Sequence, residues 1–277
     1  MLRSTRERTL IGALGGTPET GGVLRTALGI GQLTGMGVEA VQVSVDGRVA
    51  VETTAAAHAN GVRMHHRQGD VARQLLEVLD SPRVFGAVLG ARTSINGPRP
   101  LGSTALAVLR LASKPVVFVP PDLAPTRVFV PRRLLVPIDG TPAVSNAVLK
   151  LESHFRPDAI VETTVLYTLN GLTPTMVDHP EYDLPTWGEE LVRRHLPGDH
   201  RFFEWRTGAP GSAVIEVAEE SGSDLIVLCF QGRIDVGHGE VVREVLGRSS
   251  IPVFVLPTSW LSASGKSGNE QVSLSAR

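Results

Sequence analysis

Gly90, Gly102, Ser103 and Thr104 bracket a loop rich in Gly, Pro and Arg. An apolar run at residues 85–89 stops at Gly90, and an apolar-periodic stretch at residues 105–112 follows Thr104. Pro115 ends that stretch, and a β-branched run at residues 116–119 comes next. The pattern predicts strand, loop, helix, strand. The first turn of a helix carries backbone N–H groups with no partner inside the helix. Two hydroxyls beside them make a setting suited to an oxyanion such as phosphate. Residues of the same type also cap helices, so a capping role alone for Ser103 or Thr104 stays open. Arg92 and Arg99 lie within the loop, and a guanidinium can hold phosphate in bidentate fashion.

Other candidate chemistry is weaker. Gly265-Lys266-Ser267 has the ending of a Walker-type phosphate loop but lacks its upstream glycine. The glycine-rich stretch at residues 12–22 lacks the spacing of a dinucleotide site. His65 and His66 are adjacent on a predicted strand, so they face opposite sides and cannot chelate one metal. Cys229 follows an apolar strand with no histidine near it in sequence, which reads as a buried small residue rather than a nucleophile. Asp178, His179 and Glu181 fall in a polar stretch, where solvated side chains are the commoner outcome. Trp187 closes that stretch as a packing anchor. No Ser-His-Asp set or carboxylate pair can be assigned from order alone.

The elements that must position the first site come from a chain of 277 residues, long enough for two α/β domains. Hydrophobic residues make up 42% and charged residues 20%, as in a soluble globular protein. Net charge is −1 with Lys and Arg scattered, which favours neither nucleic acid nor a membrane surface as partner. The lone cysteine excludes an intramolecular disulfide and points to a reducing compartment. The early apolar run is too short for a signal peptide, and no segment is long enough to span a bilayer. A cytoplasmic location is the expectation.

The sequence then repeats itself. Residues 9–14 and 133–138 are apolar strand runs, ending in Gly15-Gly16-Thr17-Pro18 and Asp139-Gly140-Thr141-Pro142. Each is followed by a helical pattern, at residues 23–33 and 144–154, and a second strand run, at 38–45 and 159–167. Third strands at 62–67 and 201–206 lead through glycine turns into amphipathic helices. Fourth strands at 84–89 and 224–228 precede a last helix and strand, at 102–119 and 239–256. The chain is therefore two copies of one βα unit. Alternation of strand and helix predicts parallel pairing of the five strands of each copy, with right-handed crossovers and helices on both faces. The domains expected are 8–120 and 132–258. A Pro-rich linker at 121–131 joins them, and a structureless tail covers 259–277. A polar insertion occupies 168–185. The last strand of each copy would expose an edge. Either Pro120, Pro121 and Pro257 block the two edges, or the edges pair with each other inside the chain.

In such sheets ligands bind beyond the carboxyl ends of the strands, where strand order reverses. If strand one is central and neighbours strand four, that puts Gly15, Gly16 and Thr17 with residues 90–102 in one copy, and Asp139, Gly140 and Thr141 with residues 229–239 in the other. With these residues in view, the chain resembles a tandem universal stress protein over residues 9–257. The resemblance implies an α/β fold of two doubly wound five-stranded parallel sheets, strand order 3-2-1-4-5 in each copy, and association through the last strand. It also implies an adenine nucleotide, ATP or AMP, with magnesium accompanying it. In that family an acidic residue ends the first strand at the nucleoside end of the site. A loop of pattern G-x2-G-x9-G-[ST] holds the phosphates.

Neither copy keeps the whole pattern. Copy one keeps Gly90 and the Gly102-Ser103 pair, with Thr93 in place of the middle glycine and Gly15 in place of the acid. Copy two keeps Asp139, Gly140, Thr141, Gly232 and Gly239, with Cys229 in place of the first glycine and Glu240 in place of the hydroxyl. A carboxylate at Glu240 would repel phosphate, although the first turn of a helix also favours it. The candidate nucleotide site is therefore copy one: Gly15, Gly16, Thr17, Ser44, Gly90, Arg92, Thr93, Gly102, Ser103 and Thr104. Copy two is expected to be degenerate. Loss of the acid at Gly15 removes about 1–3 kcal/mol of binding, the usual worth of a charged hydrogen bond.

Three functions follow from the resemblance. The first is a stress-linked regulatory module that binds adenine nucleotide through copy one. The second is a scaffold for a protein partner, independent of nucleotide. The third is a slow ATPase, for which copy one offers no evident base. An internal pseudo-dimer is implied in each case, with further homodimerisation left open.

Overall fold

The computed structural model describes residues 8–15, 20–91, 101–121, 123, 128, 130–169, 184–232 and 239–262. The amino-terminal half runs β1 (Thr9–Ala13), α1 (Thr20–Thr34), β2 (Gly37–Ser44), α2 (Val51–Ala59), β3 (Arg63–Gln68), α3 (Val71–Asp80), β4 (Val84–Gly90), α4 (Ser103–Leu111) and β5 (Val116–Val119). The carboxy-terminal half runs β6 (Arg133–Ile138), α5 (Pro142–Glu152), β7 (Glu162–Leu169), α6 (Leu184–His195), β8 (Arg201–Thr207), α7 (Pro210–Glu220), β9 (Leu225–Phe230), α8 (Glu240–Arg248), β10 (Val253–Pro257) and α9 (Ser259–Ser262).

The strands form one sheet in the order β3-β2-β1-β4-β5-β10-β9-β6-β7-β8. Each half is parallel and doubly wound, with local order 3-2-1-4-5, as the resemblance implied. The halves meet where β5 and β10 pair antiparallel, with Phe254 opposite Val117. Pairing inside the chain satisfies two apolar edges that would otherwise be open to other chains. Burial follows from this: Val116 through Val119 and Val253 through Leu256 are all buried.

Near-continuous β-branched strands suit a sheet covered on both faces. On one face Leu24 and Ile30 of α1 share a core with Leu151 of α5 and with Leu196. On the other, Leu75 of α3 and Val108 of α4 share a core with Val217 of α7 and Val245 of α8. Each core draws on both halves. The linker also packs: a Cβ on Gly22 of α1 would collide with the Leu123 carbonyl oxygen, so only glycine lets the chain cross there.

Three features differ from the sequence reading. α2 and α6 intervene between the second and third strands of each half, where no helix was expected. α2 buries only Thr53 and Ala57 and leaves Val51 exposed, so it carries no apolar stripe to read. α6 begins at Leu184, inside the expected insertion, while Thr168 and Leu169 belong to β7. The rest of that insertion, including Asp178, His179 and Glu181, lies outside the described residues. Finally, the stretch expected to be structureless from residue 259 begins with α9, whose Trp260 is 6% exposed. Residues 263–277, with Gly265, Lys266 and Ser267, lie outside the described residues.

Trp260 closes a seam between the halves. Its ring stands edge-on to Phe85 of β4, with centroids 5.7 Å apart, and 6.0 Å from the His154 ring. Lys150 Nζ sits 4.2 Å above it and donates to its carbonyl. Arg8, from the opposite half, reaches His154 Nε2 at 2.6 Å.

Candidate functional site

The cleft of the amino-terminal half lies at the carboxyl ends of β1 and β4, the point where strand order reverses. It has a volume of about 180 Å³. Gly15, Gly90, Gly102, Ser103 and Thr104 all line it. The wall facing them is apolar, built from Val41 and Val43 of β2, Val71 and Leu75 of α3, and Leu89 of β4. This apolar wall was not anticipated from the sequence. The alternation of β2 could have indicated it, because Val41 and Val43 share a face.

The loop–helix junction has a definite construction. Gly102 is the N-cap of α4 and carries no side chain to cap it. Its N–H donates to the Ala91 carbonyl at 3.1 Å, and its carbonyl accepts from Leu106 N–H at 2.8 Å. Ser103 and Thr104 are therefore the first two helical residues, and neither is the N-cap. Among the described residues no side chain caps the first-turn amides, which leaves that end of the helix able to receive an anion.

On the other side of the cleft, β1 ends and the chain turns through Gly15. Its carbonyl accepts from the Thr20 hydroxyl and from the Thr53 hydroxyl, the latter at 3.2 Å. These two threonines, from α1 and α2, pin the turn in the place where the resemblance put an acid. Among the described residues lining the cleft there is no Asp, Glu, His, Lys or Arg. Gly16, Thr17, Arg92, Thr93 and Arg99 lie outside the described residues. Ser44 does not join the lining. It is adjacent in sequence to Val43 and so faces the other side of the sheet, and its carbonyl accepts from Gly69 N–H.

The equivalent end of the second half is built differently. Asp139 Oδ1 accepts from Thr141 N–H at 2.9 Å and from its hydroxyl at 2.7 Å, so the acid caps its own turn. Gly140, at φ 77°, makes that turn. Gly239 is the N-cap of α8, in the left-handed region at φ 72°, and Glu240 follows as an exposed first residue. Gly232 is exposed at φ 80°. Cys229 lies within β9, not after it, and its thiol is 3.7 Å from the Val144 carbonyl. Burial, with Asp139 adding to it, pushes that thiol up to about 12. Burial and the same carboxylate raise Tyr167. Trp187 packs edge-on to Tyr167 and Phe203, at 5.2 and 5.9 Å, the anchoring expected of it.

His65 and His66 are both exposed, on the outer strand β3. Among the described residues, no group of three or more His, Cys, Asp or Glu side chains is placed to hold a metal ion. Among the same residues, no helix is long and apolar enough to cross a membrane.

Fold and site together define a class: a doubly wound α/β protein with a cleft at the switch point and an uncapped helix N-terminus facing it. Comparison with known proteins narrows it. Residues 131–257 match the model of the universal stress protein family. A universal stress protein from Archaeoglobus fulgidus DSM 4304 superposes with a TM-score of 0.65 at 17% identity, covering 91% of this chain and 99% of its own. A protein of unknown function from Pseudomonas aeruginosa PAO1 superposes with a TM-score of 0.65 at 13% identity, covering 92% of this chain and 95% of its own. Both likenesses span the two halves and establish the fold. No curated protein matches the chain.

Proposed function

We propose that the chain is a tandem universal stress protein-type binding module that takes an adenine nucleotide in its amino-terminal cleft. The observation that carries this reading is the pairing of an uncapped α4 N-terminus at Gly102-Ser103-Thr104 with an apolar wall on the same cleft. A phosphate suits the first and a purine face suits the second. The volume, about 180 Å³, is below the roughly 300 Å³ of ordinary small-molecule sites. It favours AMP, or ATP with its outer phosphates beyond the cleft, over a dinucleotide. No carboxylate lines the cleft among the described residues, so magnesium would be held by the phosphates and not by those side chains. Glu240 at the matching place supports a degenerate second site.

Titration of AMP and ATP by calorimetry, against wild type and Ser103→Glu, tests the reading. The variant places a carboxylate at the anion position, so affinity should fall at least about tenfold. Equal heats for the two proteins would remove the claim. A nucleotide-independent scaffold is the second reading, favoured by the glycine at position 15. Mass spectrometry of small molecules released from the purified protein separates the two, because the scaffold reading expects no nucleotide.

A further inference from the structure

A second groove, of about 1110 Å³, opens at the opposite end of the sheet from the cleft. Its floor includes Ile11, Val41 and Val84, and one wall is the carboxyl end of α3. Arg63 and Arg67 of β3 and Arg83 before β4 line it, all three exposed. The acids present are already engaged. Glu39 holds His65 at 2.7 Å, and Glu77 accepts from Gln74 at 2.9 Å. Arg67 donates to Gln74 at 3.3 Å. Among the described residues, the Arg63 and Arg83 guanidiniums make no hydrogen bond or ion pair.

The internal repeat shows that the fold does not require this. By strand register, Arg63, His65 and Arg67 of β3 stand where β8 has Phe202, Glu204 and Arg206. At equal spacing along the chain, Ser81 and Arg83 stand where the other half has Glu220 and Gly222. There, Arg206 bonds both Glu204 and Glu220 and ties strand to helix, so the charges close on themselves. In the amino-terminal half both acids of that tie are gone and Arg63 and Arg83 are gained, while Thr9 replaces Arg133, whose guanidinium lies beside Gly222, and Glu39 replaces Thr164. Like charges gathered over an apolar floor repel one another unless an anion joins them, and a low-dielectric wall focuses their field.

We propose that this groove binds a small multivalent oxyanion, bearing phosphate or carboxylate groups, held by Arg63 and Arg83 with Arg67 beside them. The groove shares only Val41 with the nucleotide cleft, and the proposal does not rest on that cleft. The test is calorimetry on the full chain at low salt, with tripolyphosphate and citrate as probes, using wild type, R63Q/R83Q, R63K/R83K and S103E. At least one probe should bind saturably, and the stronger of the two identifies the group. R63Q/R83Q should weaken it at least about tenfold, since paired charge-assisted contacts are lost. R63K/R83K should retain part of the affinity, and S103E should leave it unchanged. Neither probe binding, R63Q/R83Q matching wild type, or loss in S103E alone would each overturn the proposal.

Discussion

Trp260→Ala removes the ring that fills the seam between the halves. An indole buries on the order of 200 Å², and Trp260 keeps only 6% of its surface exposed. At about 25 cal/mol per Å² that burial is worth at most roughly 5 kcal/mol. Measured losses for buried Trp→Ala run about 3–5 kcal/mol. The edge-on Phe85 contact and the Lys150 cation above the ring lie within that figure, since the truncation removes all three together. For a protein of this size each kcal/mol lowers the melting temperature by about 2–4 °C. The expected drop is therefore roughly 6–20 °C in a calorimetric scan. Phe85 belongs to one half while Trp260 and Lys150 belong to the other, so the loss falls on the seam. Trp260→Phe should recover most of it. If Trp260→Ala melts within about 1 °C of wild type, α9 does not hold the halves together and the assignment of Trp260 to the core fails.

His154 should make stability sensitive to acid. Its Nδ1 faces the Lys150 carbonyl at 2.7 Å and so carries the proton, leaving Nε2 to accept from Arg8. Burial, with Arg8 and Lys150 adding to it, holds its pKa below the ordinary imidazole value. The unfolded chain then takes up a proton first as pH falls. The stabilisation is complete above about pH 6.5 and declines as the pH drops below it. Melting temperature should fall between about pH 7 and about pH 5, and His154→Gln should flatten that slope; an unchanged slope would exclude the mechanism. Cys229, raised to about 12 by burial, should resist alkylation near neutral pH and react once denaturant opens β9. Rapid labelling of the native protein would contradict its placement in the strand.

The degree to which the site was legible differs from residue to residue. Gly90, Gly102, Ser103 and Thr104 could be read directly, because the spacing of a strand end, a glycine and a helix start is local. The roles of Ser103 and Thr104 could not. Whether either caps α4 depended on which residue took the N-cap, and Gly102 did. Ser44 falls outside the described lining because strand alternation turns it away from Val43 and the cleft. Thr20 and Thr53 were missed because their common partner, the Gly15 carbonyl, is distant in sequence from Thr53. α2 was missed because it buries little, and α9 because one tryptophan in a polar tail carries no periodicity.

The order of residues was enough to establish two copies of one βα unit, their parallel sheets and their switch points, since these rest on short-range periodicity and on handedness. It also set the differing chemistry of the two strand-end turns, glycine in one and aspartate in the other. Tertiary structure alone decided that β5 and β10 join the copies into one sheet, that Trp260 locks the seam, and that Arg63 and Arg83 line one groove whose acids, Glu39 and Glu77, bond other side chains. Each depends on groups brought together from far apart in the chain, and packing rather than local preference selects such contacts.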